Sequence, residues 1–232
     1  MTPTFHLGIE DMEPNNWVAW VFELPGCYSR ASTREDTIEI APAAIQELLE
    51  RLRQSSLLKM DPPSDFEINI SEEFRSIPYS PDYLVNAFFE NDQIPLSVPD
   101  IIFGTHVLNL NRRELLSIAA HLPQNVLEKN IDGEVQKSIR GILRHIGTAE
   151  WWYWDRLGLT FPRTERPDDI FNLLDMVRQY TLEHISDLVG STEKTTCSGE
   201  DWSPRKLLRR AIWHERVHTL QITRYLKSMS SN

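Results

Sequence analysis

Ser203-Pro204-Arg205-Lys206-Leu207-Leu208-Arg209-Arg210-Ala211-Ile212-Trp213-His214-Glu215-Arg216-Val217-His218 opens one long amphipathic run. Ser203 suits a helix N-cap, and Pro204 suits the first helical position, where an N–H is not needed. Leu207, Ala211, His214, His218 and Ile222 or Tyr225 then share a stripe, and the pattern runs to about Lys227. Residues i and i+4 on a helix lie on one face, roughly 6 Å apart along the axis. His214 and His218 therefore face the same way and can chelate one transition-metal ion. Two imidazoles on an inward stripe need hydrogen bonds or a metal to offset their burial.

Three more helical patterns precede this one. Ile101, Thr105, Leu108, Arg112, Leu115, Ala119 and Leu122 repeat at helical spacing after Ser97, until Pro123 stops them. Val135, Ile139, Ile142, Ile146, Ala149 and Tyr153 mark a second helix over about Gly133 to Leu157. Ile170, Leu173, Leu174, Val177, Ile185 and Leu188 mark a third over about Pro167 to Val189. Four long helices joined by connections of about 9–13 residues predict a four-helix bundle over residues 97–232. His145 flanks the stripe of the second helix. With connections alternating up and down, it falls at a level comparable with the pair on the fourth. It is the best third ligand. Three neutral imidazoles at about 2.0–2.1 Å leave open positions on Zn²⁺, Ni²⁺ or Fe²⁺.

The first third of the chain has a different character. Residues 1–75 hold 6 Lys/Arg against 14 Asp/Glu, a net −8, while the rest hold 18 against 20, a net −2. Such acidity argues against unaided binding to nucleic acid or an anionic membrane, and suits a basic protein partner. Thr4–Glu10 and Trp17–Leu24 are strand-like, divided by the turn cluster Glu13-Pro14-Asn15-Asn16. Pro25-Gly26 ends the second run, and Cys27–Ser32 fits a short third strand. Thr33 suits an N-cap with Asp36 three residues on. Ile38, Ala41, Ile45, Leu48, Leu49 and Leu52 follow at helical spacing. Pro42 should kink or restart that helix. Asp61-Pro62-Pro63 is a break, and Phe66–Ile70 fits a closing strand. An edge strand here leaves room for a homodimer. Residues 76–96, with Tyr79, Tyr83, Phe88 and Phe89, predict a connector packed on the bundle. The expected fold class is α+β, a small α/β domain followed by a helical bundle.

Two resemblances accompany these patterns. Phe22-Glu23-Leu24-Pro25-Gly26-Cys27-Tyr28-Ser29, Thr33-Arg34-Glu35-Asp36-Thr37-Ile38 and Ala43-Ala44-Ile45 make residues 3–72 similar to HicB-like antitoxins. No counterpart of the DNA-binding module that commonly follows in that family is recognisable here. Ile142-Leu143-Arg144-His145-Ile146 with Glu150 and Trp151, and Trp202–Arg210 leading into Trp213–Thr219, make residues 97–232 resemble the DinB/YfiT-like family. That resemblance implies a four-helix bundle whose metal is held by one histidine of the second helix and an H-x-x-x-H pair of the last. Those positions are His145, His214 and His218. It also implies a metal-dependent transferase or isomerase using a low-molecular-weight thiol, such as bacillithiol or mycothiol, on a small electrophile.

His214-Glu215-Arg216-Val217-His218 also matches H-E-x-x-H, in which the glutamate is the general base of a zinc peptidase. A downstream third ligand is missing. Position 221 is Gln, position 224 is Arg, and the 14 residues after His218 contain no Glu, Asp or His. Glu215 is expected at the surface, solvated or paired with Arg144, Arg209 or Arg210. Trp151, Trp152, Trp154 and Trp213 read as packing. His106, His121 and His184 read as surface or satisfied polar residues. Cys27 reads as a small buried hydrophobe and Cys197 as a loop residue. Without a disulfide framework, a signal peptide or a membrane-length apolar run, the default setting is a cytoplasm with reduced thiols. No side chain is marked as catalytic or as binding an organic cofactor.

Overall fold

The computed structural model describes residues 2–55, 61–81, 83–133, 135–159, 161 and 165–230. The chain is α+β, as expected. In chain order it forms β1 (Thr4–Glu13), β2 (Asn16–Val21), β3 (Tyr28–Ala31), α1 (Arg34–Glu39), α2 (Ala41–Gln54), β4 (Glu67–Arg75), β5 (Ile77–Ser80) and β6 (Tyr83–Val85). There follow α3 (Val98–Ala119), α4 (Gln124–Leu127), α5 (Ile139–Arg156), α6 (Ile170–His184), β7 (Thr195–Cys197), β8 (Glu200–Trp202) and α7 (Pro204–Ser230). These elements form two compact units. One is Met1–Pro95 with Ser191–Trp213; the other is Leu96–Gly190 with His214–Asn232. This differs from a division at residues 75 and 96. Residues 76–95, expected as a connector on the bundle, belong to the first unit, and so does the first part of α7.

The first unit is built on a four-stranded sheet of order β3-β2-β1-β4. β1 and β2 form the expected hairpin, turning at Pro14-Asn15 with Asn15 at φ 63°. Val18, Ala19, Trp20 and Val21 are all buried, so this strand is covered on both faces. Thr33 caps α1 by accepting from the Asp36 N–H. α1 stops at Glu39 and α2 restarts at Ala41 with Pro42 in its first turn, where proline is tolerated. Ile45, Leu48, Leu49 and Leu52 then face the core. The closing strand runs to Arg75, beyond the expected Ile70, and pairs parallel with β1. Its extension, Ser71-Glu72-Glu73-Phe74-Arg75, lies on the sheet edge, so it carries no clear apolar alternation. Cys197 ends a strand of the β7–β8 hairpin and is not in a loop.

Basic residues in the first turns of α7 are buried in this unit. Lys206 Nζ lies 2.7 Å from Glu200 Oε1 and donates to the carbonyls of Asn86 and Asp201. The Tyr83 hydroxyl donates to the other Glu200 oxygen. Arg209 pairs with Asp92 at 2.6 Å and lies over the Trp20 ring. Burial pushes the Lys206 ammonium down to about 8, against the upward pull of Glu200. An unfolded lysine titrates near 10.4. Between those values the unfolded chain holds a proton that the folded chain has released. Stability should therefore rise as pH goes from about 8 to about 10, by at most on the order of 3 kcal/mol. Below about pH 8 both states are protonated and the contribution is flat. Urea unfolding across that range measures it, and the rise should be missing from Lys206→Met.

The second unit is helical. Ser97 and Asp100 form a reciprocal capping box at α3, with Pro99 in the first turn. α5 begins at Ile139, capped by Ser138, and not near Gly133. Lys137 adopts φ 42°, which ends any regular helix before it, and Val135 is exposed rather than on the buried stripe. α6 is capped by Asp169, and its last expected turn tightens into a 3₁₀ segment over Ile185–Leu188. Leu115 and Ala119 of α3, Ile142 and Ile146 of α5, Leu173 and Val177 of α6 and Ile222 of α7 meet in one apolar core.

Candidate metal centre

α5 carries His145, and α7 carries His214 and His218 one turn apart. The structure brings these three together as the sequence expected. Their ring centroids form a near-equilateral triangle with sides of 4.5, 4.7 and 4.8 Å. One ligand nitrogen from each lies within 4.8 Å of the others. His214 is buried, while His145 and His218 are half-buried, so the cluster keeps a path to solvent. The Tyr153 ring stands edge-on to His214 at 6.0 Å.

The donor set fits a divalent transition metal. His145 Nε2 and His214 Nε2 are 3.0 Å apart. Two nitrogens bound at about 2.0–2.1 Å on adjacent positions of one ion would be roughly 3.0–3.4 Å apart. Without an ion the same contact is an N–H···N hydrogen bond and one ring must carry the proton. Burial pushes His145 below the ordinary imidazole value, which favours the neutral, ligating form. On α7 itself, His218 Nδ1 lies 2.7 Å from Gln221 Oε1, and Gln221 Nε2 donates to the Tyr225 hydroxyl at 3.3 Å.

Glu215 sits elsewhere than expected. It is buried, and its partners are Arg112 and Arg178, not Arg144, Arg209 or Arg210. Arg112 Nε donates to Glu215 Oε1 at 2.5 Å and an Arg178 NH₂ donates to Glu215 Oε2 at 2.6 Å. The same two guanidinium groups bind Glu150 at 2.9 to 3.1 Å. They also donate to the carbonyls of Leu174 and Leu108. The result is a neutral ring of two arginines and two glutamates, one residue from each of α3, α5, α6 and α7. Burial alone would raise Glu150, but Arg178 and Arg112 hold it below the usual carboxylate range. Burial alone would lower Arg178, but Glu150 and Glu215 raise it. Both Glu215 oxygens are committed to these cations, so it is not poised as the general base of an H-E-x-x-H peptidase.

The remaining candidates have ordinary surroundings. His106 and His121 are exposed, and His184 is 3.3 Å from Asp187. Burial pushes the Cys27 thiol up to about 12, with Glu47 adding to it, so that thiol is inert. Sequence reasoning missed the charge ring and Gln221. Arg112 had left a trace, since it falls on the apolar stripe of its helix. Gln221 stands three residues after a proposed ligand, on its face of the helix. Among the described residues no helix is long and apolar enough to cross a membrane. The chain matches no family model, no curated protein and no solved structure.

Proposed function

We propose that this chain is a divalent-metal-binding, DinB-like protein in which His145, His214 and His218 hold Zn²⁺, Ni²⁺ or Fe²⁺. Its activity would be that of a metal-dependent S-transferase joining a low-molecular-weight thiol to a small electrophile. The observation that carries this is the convergence of the three histidines from α5 and α7 within 4.8 Å. One ligand from the second long helix and a pair from the last is also the arrangement the DinB resemblance implies for a four-helix bundle. When bound, a divalent ion lowers the pKa of a coordinated thiol, so that a thiolate exists at neutral pH. The chain's own contribution is to gather three imidazoles, with burial favouring the neutral form of His145. Half-buried His145 and His218 leave an approach for small molecules. Cys27 and Cys197 are in no disulfide, which fits a reducing, cytoplasmic setting.

Elemental analysis of the purified protein is expected to find about one transition-metal ion per chain. The metal-loaded protein should accelerate conjugation of bacillithiol or mycothiol to a bromobimane, the sulfur displacing bromide and the thiol proton passing to solvent. Metal uptake without conjugation would leave a metal-binding protein and remove the transferase.

A second proposal rests on charge. The net −8 over residues 1–75 supports a HicB-like domain that holds a basic protein partner, with the bundle as scaffold and no catalysis. The hairpin, third strand, helix and closing strand of the first unit agree with that resemblance. Glu35, Glu39, Glu67 and Glu73 are exposed there. Co-purification of a small basic protein, weakened by changing these four to Gln, would favour it. Binding that ignores those changes counts against it.

A further inference from the structure

Gln221 touches a proposed ligand. His218 Nδ1 and Gln221 Oε1 are 2.7 Å apart, a hydrogen-bond distance. An amide oxygen only accepts, so the proton of this bond belongs to Nδ1. The amide lies with its Nε2 donating to the Tyr225 hydroxyl at 3.3 Å and its oxygen end toward His218. Spacings of three and four residues keep His218, Gln221 and Tyr225 on one face of α7. A neutral imidazole with its proton on Nδ1 carries its lone pair on Nε2. His145 and His214 already approach each other through Nε2. The hydrogen bond from His218 to Gln221 thus selects the same nitrogen on the third ring.

We infer that Gln221, held by Tyr225, is the positioning residue that fixes His218 as the Nδ1–H tautomer and so sets the metal affinity of the three-histidine site. This rests on the metal-binding proposal, but its first readout needs no metal. An outer partner of a ligating histidine orients the ring and tunes its basicity. A neutral amide does the first while adding no negative charge. The site keeps the full dipositive charge of its ion, and the ion stays less tightly held than with a carboxylate partner.

The test uses the full chain as wild type, Gln221→Leu and Gln221→Glu. Nitrogen-15 shifts of His218 are read in metal-free protein, well above the ordinary imidazole value of about 6.5. The wild type and Gln221→Glu should show the Nδ1–H form, and Gln221→Leu should move toward Nε2–H. Co²⁺ affinity is then measured by competition with a chromophoric chelator. Gln221→Leu should bind about 10–100-fold more weakly. Gln221→Glu should bind at least as tightly as wild type, with altered visible bands of the bound Co²⁺. Gln221→Met, close to glutamine in shape, replaces the leucine variant if that one loses its helical signal. An unchanged tautomer overturns the inference, as does equal affinity in a folded apolar variant while the wild type binds. A wild type that takes up no Co²⁺ overturns the metal-binding proposal itself and the affinity claim with it.

Discussion

Alanine at His145, His214 or His218 is expected to abolish stoichiometric metal binding, with a loss well beyond the roughly 10–100-fold that outer-partner changes cost. Three imidazole nitrogens make up the cluster among the described residues, so each variant leaves only two. The His145 variant separates two cases. If it alone retained metal, the α7 pair would suffice and the 3.0 Å approach of His145 to His214 would be a plain hydrogen bond. A ligand that binds the folded state stabilises it by about 2.7 kcal/mol at a concentration 100 times its Kd. The thermal midpoint of the wild type should therefore rise with added Zn²⁺ or Co²⁺, and that of each alanine variant should not. Stoichiometric metal retained in all three variants would sink the ligand assignment.

Glu215→Ala is expected to destabilise the helical unit by about 3–5 kcal/mol, because it leaves a buried ion-pair network short of one carboxylate. Arg112 and Arg178 would then share only Glu150. Glu215→Gln keeps the shape and an acceptor, so its loss should be smaller. Replacing all four charges by apolar groups of matched volume could be nearly neutral, since the desolvation of four ions is recovered. Urea unfolding gives these differences, and a change under about 1 kcal/mol in Glu215→Ala would show the ring to be incidental. The same variants separate a structural glutamate from a peptidase base. A base would be dispensable for stability and required for peptide hydrolysis, the reverse of what the ring implies.

Periodicity made the histidines legible. His214 and His218 are one turn apart on a regular stripe, and His145 followed from helices of similar length running side by side. The break at α2 was equally visible, because Pro42 must either kink a helix or restart it, and the structure shows the restart. What stayed hidden was mostly long-range. An arginine read singly belongs at the surface, and only its partners change that. Arg112 finds Glu215 across 103 residues and Glu150 across 38. Lys206 likewise has its partners far off in sequence or outside its helix, in Glu200 and the Asn86 carbonyl. The start of α5 was misplaced for a local reason. Val135 continued the apolar spacing, but the backbone turns at Lys137. The second half of β4 was missed because an exposed edge strand need not alternate.

The interleaving of the two units also bears on how the chain is made. Arg209 reaches Asp92 across 117 residues, and both lie in the first unit. During synthesis an N-terminal domain ordinarily folds as it emerges. Here the first unit lacks its last segment until Trp213 has left the ribosome, after all of Leu96–Gly190. Its sheet can form early, but buried Asp92 must wait for its cation. The first unit is therefore held incomplete until that point. Premature termination anywhere before residue 213 would release a chain in which neither unit can close.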